Sequence, residues 1–266
     1  MYPFNYHKPA NISEAVSLFR NADDPMYLSG GMTLIPTMKQ RLAAPTDLID
    51  LSDIPEMSGI EVSADSVRIG AFTRHNEVVG SPEINKVLPV LSRLASLIGD
   101  NQVRNRGTIG GSVANSDPSA DYPAAVVGLG ATVYTQDRAI SGDDFFLNLF
   151  ETALHPGEII THIDFPIPTR AAYQKFPNPA SRYAVVGVLI ADFSGTIRVG
   201  VTGAGPCACR ASGIEKMLNQ ELTAAAIDAV EVPDAGFNSD LHASAEYRAH
   251  LVKVMARRAL ADLLQQ

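Results

Sequence analysis

The sequence contains no tryptophan and only two cysteines, and the shortage of cysteine excludes several kinds of site. Cys207 and Cys209 form a single C-x-C pair. An iron–sulfur cluster held by thiolates needs a larger set of cysteines, and a zinc site needs further Cys or His nearby. We therefore interpret the pair as reduced, packed thiols and expect no metal in this chain.

Long apolar runs and an excess of basic residues are also lacking. No run of roughly eighteen apolar residues occurs, and the segment Met1 to Pro9 has no apolar signal-peptide core. The net charge is −8 and the basic residues are mostly dispersed, which excludes a nucleic-acid surface. We expect a cytoplasmic protein with no direct membrane insertion and no nucleic-acid partner.

Motifs of hydrolytic and nucleotide-binding enzymes are missing as well. There is no Gly-x-Ser-x-Gly elbow, no His-Glu-x-x-His, no Gly-x-Gly-x-x-Gly and no P-loop. The histidines share no spacing, and we interpret each as a surface or packing residue: His7, His75, His155, His162, His242 and His250. Without a nucleophile–base pair, the chain suits a cofactor that supplies its own chemistry, and we predict no catalytic residue.

Two glycine pairs are the most informative feature that is present. Gly30-Gly31 follows a short apolar stretch, and Gly110-Gly111 comes roughly eighty residues later. Neighbouring glycines allow φ > 0 and leave N–H groups bare, which a dinucleotide pyrophosphate requires. The two pairs together predict one ligand held from both sides.

The pattern along the chain predicts an α+β fold in three parts. A helix is expected over 11–20, followed by a βαβ-like unit: strand 26–28, the first glycine pair, a helix containing Pro36, Met38 and Leu42, and strand 48–51. Next come strand 67–71, a helix capped by Ser81 that restarts at Pro89 and stops near Gly99, and strand 158–165.

The remainder reads as a separate module. Ser194-Gly195 predicts a hairpin between strands 183–193 and 196–202. A last helix is expected over 245–263 with Tyr247, Leu251, Val254 and Met255 on one face. Because Arg258 interrupts that face, we expect the last turns of this helix to be less buried. The predicted domains are 1–56, 57–168 and 169–266.

The segment after the second glycine pair is rich in polar side chains. Thr108 and Ser112 offer hydroxyls, Asn115 an amide, and Asp117 and Asp121 carboxylates. This set suits a polyhydroxylated ligand, since Asp121 could accept from sugar or ribityl hydroxyls. A polar loop whose Asn and Asp cap a turn is the alternative.

In sequence, the two motifs resemble the paired FAD motifs of the medium subunit of molybdenum hydroxylases, a group that includes aerobic carbon monoxide dehydrogenase and the central domain of xanthine dehydrogenase. The resemblance rests on Ser-Gly-Gly-Met-Thr-Leu at 29–34 and on Thr-Ile-Gly-Gly-Ser-Val-Ala-Asn-Ser-Asp-Pro-Ser-Ala-Asp at 108–121. Segments 99–107, 173–176, 181–187 and 245–248 agree with it.

The resemblance implies a fold of the vanillyl-alcohol-oxidase type, with two α+β subdomains around FAD and a C-terminal domain of antiparallel strands and helices. It implies that backbone at 29–34 and 108–112 holds the pyrophosphate, that Asp121 binds hydroxyls, and that Lys175 and Tyr183 lie near the isoalloxazine. The full set of candidate cofactor-binding residues is Ser29, Gly30, Gly31, Met32, Thr33, Leu34, Thr108, Ile109, Gly110, Gly111, Ser112, Asn115, Asp117, Asp121, Lys175 and Tyr183.

The resemblance also implies partners. Electrons would pass from a molybdenum-cofactor large subunit through a [2Fe-2S] small subunit to this FAD and on to an external acceptor, in a dimer of heterotrimers. Molybdopterin and the clusters are expected only in those partners. The chain lacks the extra cysteines of the benzoyl-CoA-reducing branch.

Met32 stands where several relatives carry His, and a thioether cannot form the histidyl bond of covalent flavoproteins. We therefore predict non-covalent FAD. Two alternatives stay open: an interaction subunit that has lost flavin, and a stand-alone flavin oxidase of the same fold.

Overall fold

The computed structural model describes residues 1–266 and has an α+β fold, as predicted. Three larger sheets follow one another along the chain, with most helices between strands of the second sheet, and β8 and β9 form a separate two-stranded sheet. The strands are β1 (Asn5–His7), β2 (Pro25–Leu28), β3 (Asp47–Asp50), β4 (Ile60–Val62), β5 (Ser66–Gly70), β6 (Thr132–Thr135), β7 (Ala139–Ser141), β8 (Phe146–Asn148), β9 (Glu151–Thr152), β10 (Ile160–Pro166), β11 (Arg170–Pro177), β12 (Ala184–Phe193), β13 (Thr196–Thr202) and β14 (Cys209–Arg210). The helices are α1 (Ile12–Asn21), α2 (Leu34–Lys39), α3 (His75–Gly80), α4 (Pro82–Val87), α5 (Pro89–Ser96), α6 (Asn101–Arg104), α7 (Ile109–Asn115), α8 (Tyr122–Gly128), α9 (Gly142–Phe145), α10 (Ser212–Leu218), α11 (Ala224–Asp228) and α12 (Ala245–Leu263).

The first sheet is parallel, in the order β1-β3-β2, so β2, α2 and β3 form the predicted βαβ-like unit. Helix α2 is shorter than predicted. It ends at Lys39 because Arg41 adopts a left-handed φ of 62°. Leu42 therefore lies outside the helix and is 76% exposed, so placing it in that helix was wrong.

The second sheet is antiparallel, in the order β4-β5-β10-β6-β7. Helices α3 to α8 occupy the long connection between β5 and β6. Ser81 caps α4 by accepting from the N–H of Ile84, the chain restarts as α5 at Pro89, and Gly99 takes a left-handed φ of 48°, all as predicted. This connection carries the second glycine pair on α7.

The third sheet, β11-β12-β13-β14, is antiparallel and packs against α12. The Ser194-Gly195 hairpin is confirmed, and both residues adopt positive φ. The apolar core is correspondingly divided: one cluster of 37 buried residues joins the first two sheets to the helices packed on them and reaches the third sheet, and another of 21 lies between the third sheet and its helices.

Helix α12 has the predicted bounds, but its buried face differs from the prediction. Leu251 and Met255 are buried, whereas Tyr247 is 42% exposed. The last turns are not less buried, since Leu260 and Leu263 are fully enclosed. Arg258 lies on the exposed side of the helix and does not interrupt the apolar stripe.

No helix is both long and apolar enough to cross a bilayer. The domain bounds 1–56, 57–168 and 169–266 remain a prediction.

Candidate functional site

A cleft of about 730 Å³ opens where the end of the first sheet meets the helices of the second. Nearly all the candidate residues line it. Two do not: Ile109 is fully buried in the core, and Lys175 lies behind Asp121. The structure therefore brings both glycine motifs to one cavity, as the sequence predicted.

The two motifs touch each other directly. Ser29 Oγ lies 2.7 Å from Thr108 Oγ1. Gly30 packs against the backbone before Thr108, where an added Cβ would overlap the carbonyl of Arg106 and stand 2.7 Å from the Cα of Gly107. Any side chain at Gly30 would push the motifs apart.

The first motif supplies free backbone donors. Gly31 turns the chain with a left-handed φ of 72°, and no protein acceptor takes the N–H groups of residues 30–34. All of these residues line the cleft. A run of unused amides on residues that line one cleft suits an anion, because each free N–H carries partial positive charge.

The expectation of bare amides is wrong for the second glycine pair. The N–H of Gly110 donates to the carbonyl of Ala71 at 2.8 Å, and that of Gly111 to Thr108 Oγ1 at 3.1 Å. Neither residue has positive φ. Gly110 is needed for packing instead, since a Cβ there would stand 2.5 Å from the Cβ of Ala71.

What the second motif presents to the cleft is mainly side chains. Ser112 and Asn115 line the cleft at α7, and neither side chain has a hydrogen-bond partner in the protein. Thr108 is buried, and its hydroxyl caps α7 by accepting from the N–H of Gly111 and also contacts the hydroxyl of Ser29. The two motifs thus contribute different chemistry, amides from the first and side-chain polar groups from the second.

Asp121 is buried at the cleft wall beside two partners from β11. Tyr173 donates to Asp121 Oδ1 at 2.6 Å, and Lys175 Nζ lies 3.0 Å from both carboxylate oxygens. Lys175 also donates to the carbonyl of Leu97. Burial raises the pKa of Asp121, and the charge of Lys175 acts against it. Oδ2 has Lys175 as its sole partner and can accept a further bond.

Three functional candidates were missed in the sequence. His75 is 4% exposed and lines the cleft, and burial lowers its pKa to about 4. Glu158 also lines the cleft, and Arg138 lowers the pKa of Glu158 to about 2. Arg182 lines the rim and donates to the carbonyl of Gly99. No local pattern in the sequence marks His75, because its place at the cleft depends on tertiary contacts such as the hydrogen bond from its N–H to the carbonyl of Gly107.

The cleft fits FAD by its own features. Its volume lies within the usual range of cofactor pockets. The free amides of residues 30–34 match a diphosphate, and Ser112, Asn115 and Asp121 Oδ2 match hydroxyl-bearing groups.

Comparison with known proteins agrees with this geometry. Residues 2–168 match the family described as FAD binding domain in molybdopterin dehydrogenase, and residues 171–263 match the CO dehydrogenase flavoprotein C-terminal domain. The carbon monoxide dehydrogenase medium chain of Hydrogenophaga pseudoflava is 35% identical over 97% of this chain and 96% of its own length. The nicotine 6-hydroxylase medium subunit of Paenarthrobacter nicotinovorans is 34% identical over the same shares, 97% and 96%. Among solved structures, reconstituted CO dehydrogenase from Oligotropha carboxidovorans superposes with a TM-score of 0.90 at 35% identity, covering 98% of this chain and 97% of that one.

The chain therefore belongs to the family of FAD-binding domains of molybdopterin dehydrogenases. Within it, the chain is an FAD-binding medium subunit of the molybdenum hydroxylase type, an oxidoreductase subunit. The family, fold class and cofactor predicted from the sequence are confirmed.

Proposed function

We propose that this chain holds FAD non-covalently in the cleft and relays electrons from an iron–sulfur partner subunit to an external acceptor. Bound FAD supplies the step between single-electron and two-electron chemistry. The observation that best supports the proposal is the run of unused amides at residues 30–34, which line the same cleft as the Ser29–Thr108 contact.

The proposed roles of the residues follow from their contacts. The amides of residues 30–34 bind the pyrophosphate, assisted by Ser112 and Asn115. Asp121 Oδ2 accepts from a ribityl or ribose hydroxyl. Lys175 acts behind Asp121 as a positioning residue, and Tyr183, which is 44% exposed at the cleft, lies beside the isoalloxazine.

Attachment is proposed to be non-covalent because Met32, at the rim of the first motif, offers no nucleophilic nitrogen. After acid precipitation the flavin is expected in the supernatant. Flavin that stays with the denatured polypeptide would contradict this.

The test of cofactor binding is titration of the purified chain with FAD, followed by flavin absorbance. Thr108→Val removes the α7 cap and the contact with Ser29, so we expect FAD to bind about fivefold more weakly, consistent with a loss of about 1 kcal/mol. Thr196→Val, on an exposed strand end, is the matched control. A colourless protein that does not respond to FAD would favour the alternative of an interaction subunit without flavin.

The partners are proposed to be an iron–sulfur small subunit and a molybdenum-cofactor large subunit, in a dimer of heterotrimers in the cytoplasm. The relatives support this because their names describe medium chains of dehydrogenase and hydroxylase complexes. Co-purification of a tagged chain, with the mass of the complex, tests both composition and stoichiometry. Turnover of an alcohol or sugar by the isolated FAD-loaded chain would instead support a stand-alone oxidase.

A further inference from the structure

A second pocket, of about 180 Å³, lies directly behind part of the cleft wall. Asp117, Ser181 and Tyr183 line both cavities and so separate them. The rest of this pocket is mostly polar and includes Ser119, Asp240, His242 and Arg248. His242 and Ser181 are exposed, so the second pocket reaches solvent on one side and shares a wall with the cleft on the other.

Asp117 differs from the other carboxylates of the cleft. Asp121 is paired with Lys175 and Glu158 with Arg138. Asp117 Oδ1 accepts a hydrogen bond from the N–H of Ser119 at 2.9 Å, and Oδ2 has no partner in the protein. It is therefore the one carboxyl group lining the cleft with no cation beside it.

The charged groups that line the second pocket with Asp117 are paired with other residues. Arg248, buried in the second pocket, donates to Asp240 at 2.7 Å and to the carbonyls of Val185 and Gly203. Tyr183 and His242 are the other titratable groups of that pocket. Burial raises the pKa of Asp117, with the Ser119 amide acting against it. A carboxyl in this setting can hold a proton at higher pH than an exposed one.

We propose that Asp117 is the proton relay between the cleft and solvent, acting through the second pocket. The proposal rests on the proposed function, because full reduction of a flavin takes up protons together with electrons. The electrons come from the iron–sulfur partner. The O–H bond at Asp117 Oδ2 breaks as the proton passes into the cleft, and the carboxylate regains a proton from water in the second pocket.

The experiment is rapid-mixing reduction of the FAD-loaded chain by dithionite, followed by flavin absorbance, for wild type and Asp117→Asn. Asp137→Asn, at an exposed position outside both cavities, is the matched control. We expect Asp117→Asn to keep its flavin and to be reduced on the order of 10²-fold more slowly. Formate, a weak acid small enough for the second pocket, should restore the rate, and Asp137→Asn should match wild type.

Infrared spectroscopy of the protein without FAD gives an independent readout. A carboxylic acid C=O band that persists to higher pH than those of exposed carboxyls is expected in wild type. The Asp117 contribution to this band should be lost in Asp117→Asn, and any contribution from Asp121, whose pKa burial also raises, should stay. An unchanged reduction rate, a slow rate that formate does not restore, or loss of FAD from Asp117→Asn would each overturn the relay. Failure of wild type to bind FAD would instead refute the proposed function.

Discussion

Replacing Lys175 by Met should be among the most damaging single changes in this chain. The side chains of Lys175 and Asp121 are each 4% exposed, and Nζ lies 3.0 Å from both carboxylate oxygens. Met keeps the length of the stem but leaves Asp121 buried with only Tyr173 as a partner. Breaking a buried ion pair from one side destabilises proteins by about 3–5 kcal/mol, so we expect about 4 kcal/mol here.

Urea unfolding followed by far-ultraviolet circular dichroism is the suitable assay, because the chain has no tryptophan to report by fluorescence. The double variant Asp121→Asn with Lys175→Met removes both charges together. It should be more stable than the sum of the single changes predicts, since no charge is left buried alone; such coupling between contacting residues typically amounts to about 0.5–3 kcal/mol.

The pH dependence supplies a second check on the same pair. Without Lys175, the pKa of Asp121 should rise further above its unfolded value of about 3.9. The folded variant would then bind the proton more tightly than the unfolded chain, so its stability should fall as pH rises above about 4. A loss below about 1 kcal/mol, additive single effects, or no added pH dependence would refute the reasoning.

Three further changes test separate features. Gly31→Ala places a Cβ at φ 72°, 2.9 Å from the Ile35 side chain; a loss of about 1–2 kcal/mol in urea unfolding and weaker FAD binding are expected, and unchanged values would contradict the turn's role. Ser116→Gly relieves a left-handed φ of 46° and should raise the unfolding free energy by about 1 kcal/mol, visible as a higher melting temperature; a lower one would argue against strain. Arg138 lowers the pKa of Glu158 to about 2 in the folded chain. The stabilisation from Glu158 is therefore complete above pH of about 4.3, the unfolded pKa, and is lost as the pH falls toward the folded pKa. Arg138→Met should therefore flatten the acid limb of stability against pH, and an unchanged limb would contradict the assignment.

Local patterns in the sequence predict most elements well. Runs of apolar residues on both sides of the Ser-Gly turn predict the hairpin of β12 and β13, and the cap at Ser81 and the proline at 89 predict two helix starts. The end of α2 escaped prediction because no local pattern marks Arg41 for a left-handed φ. The buried face of α12 escaped prediction because it is set by packing on the third sheet.

The site was predicted in its location more than in its chemistry. Glycine pairs mark backbone that must come close to something, but the sequence does not say what. Gly31 turns a loop with free amides, whereas Gly110 packs against Ala71 with its amide already bonded. Lys175 and Asp121 were both named, yet their pairing depends on a contact between β11 and the segment before α8, far apart in sequence.

The contact between Ser29 and Thr108 has a consequence for how the protein acquires its cofactor. The two hydroxyls lie 79 residues apart in the chain and belong to segments that follow different sheets. The complete cleft, with free amides from the first motif and polar side chains from the second, forms only when both sheets have folded and docked. A ligand that binds only the completed cleft stabilises that docked state by mass action, by about 2.7 kcal/mol when present at 100 times its dissociation constant. Flavin content in a preparation would then measure the fraction of chains whose sheets have docked, and flavin shortage during synthesis would appear as instability of the fold.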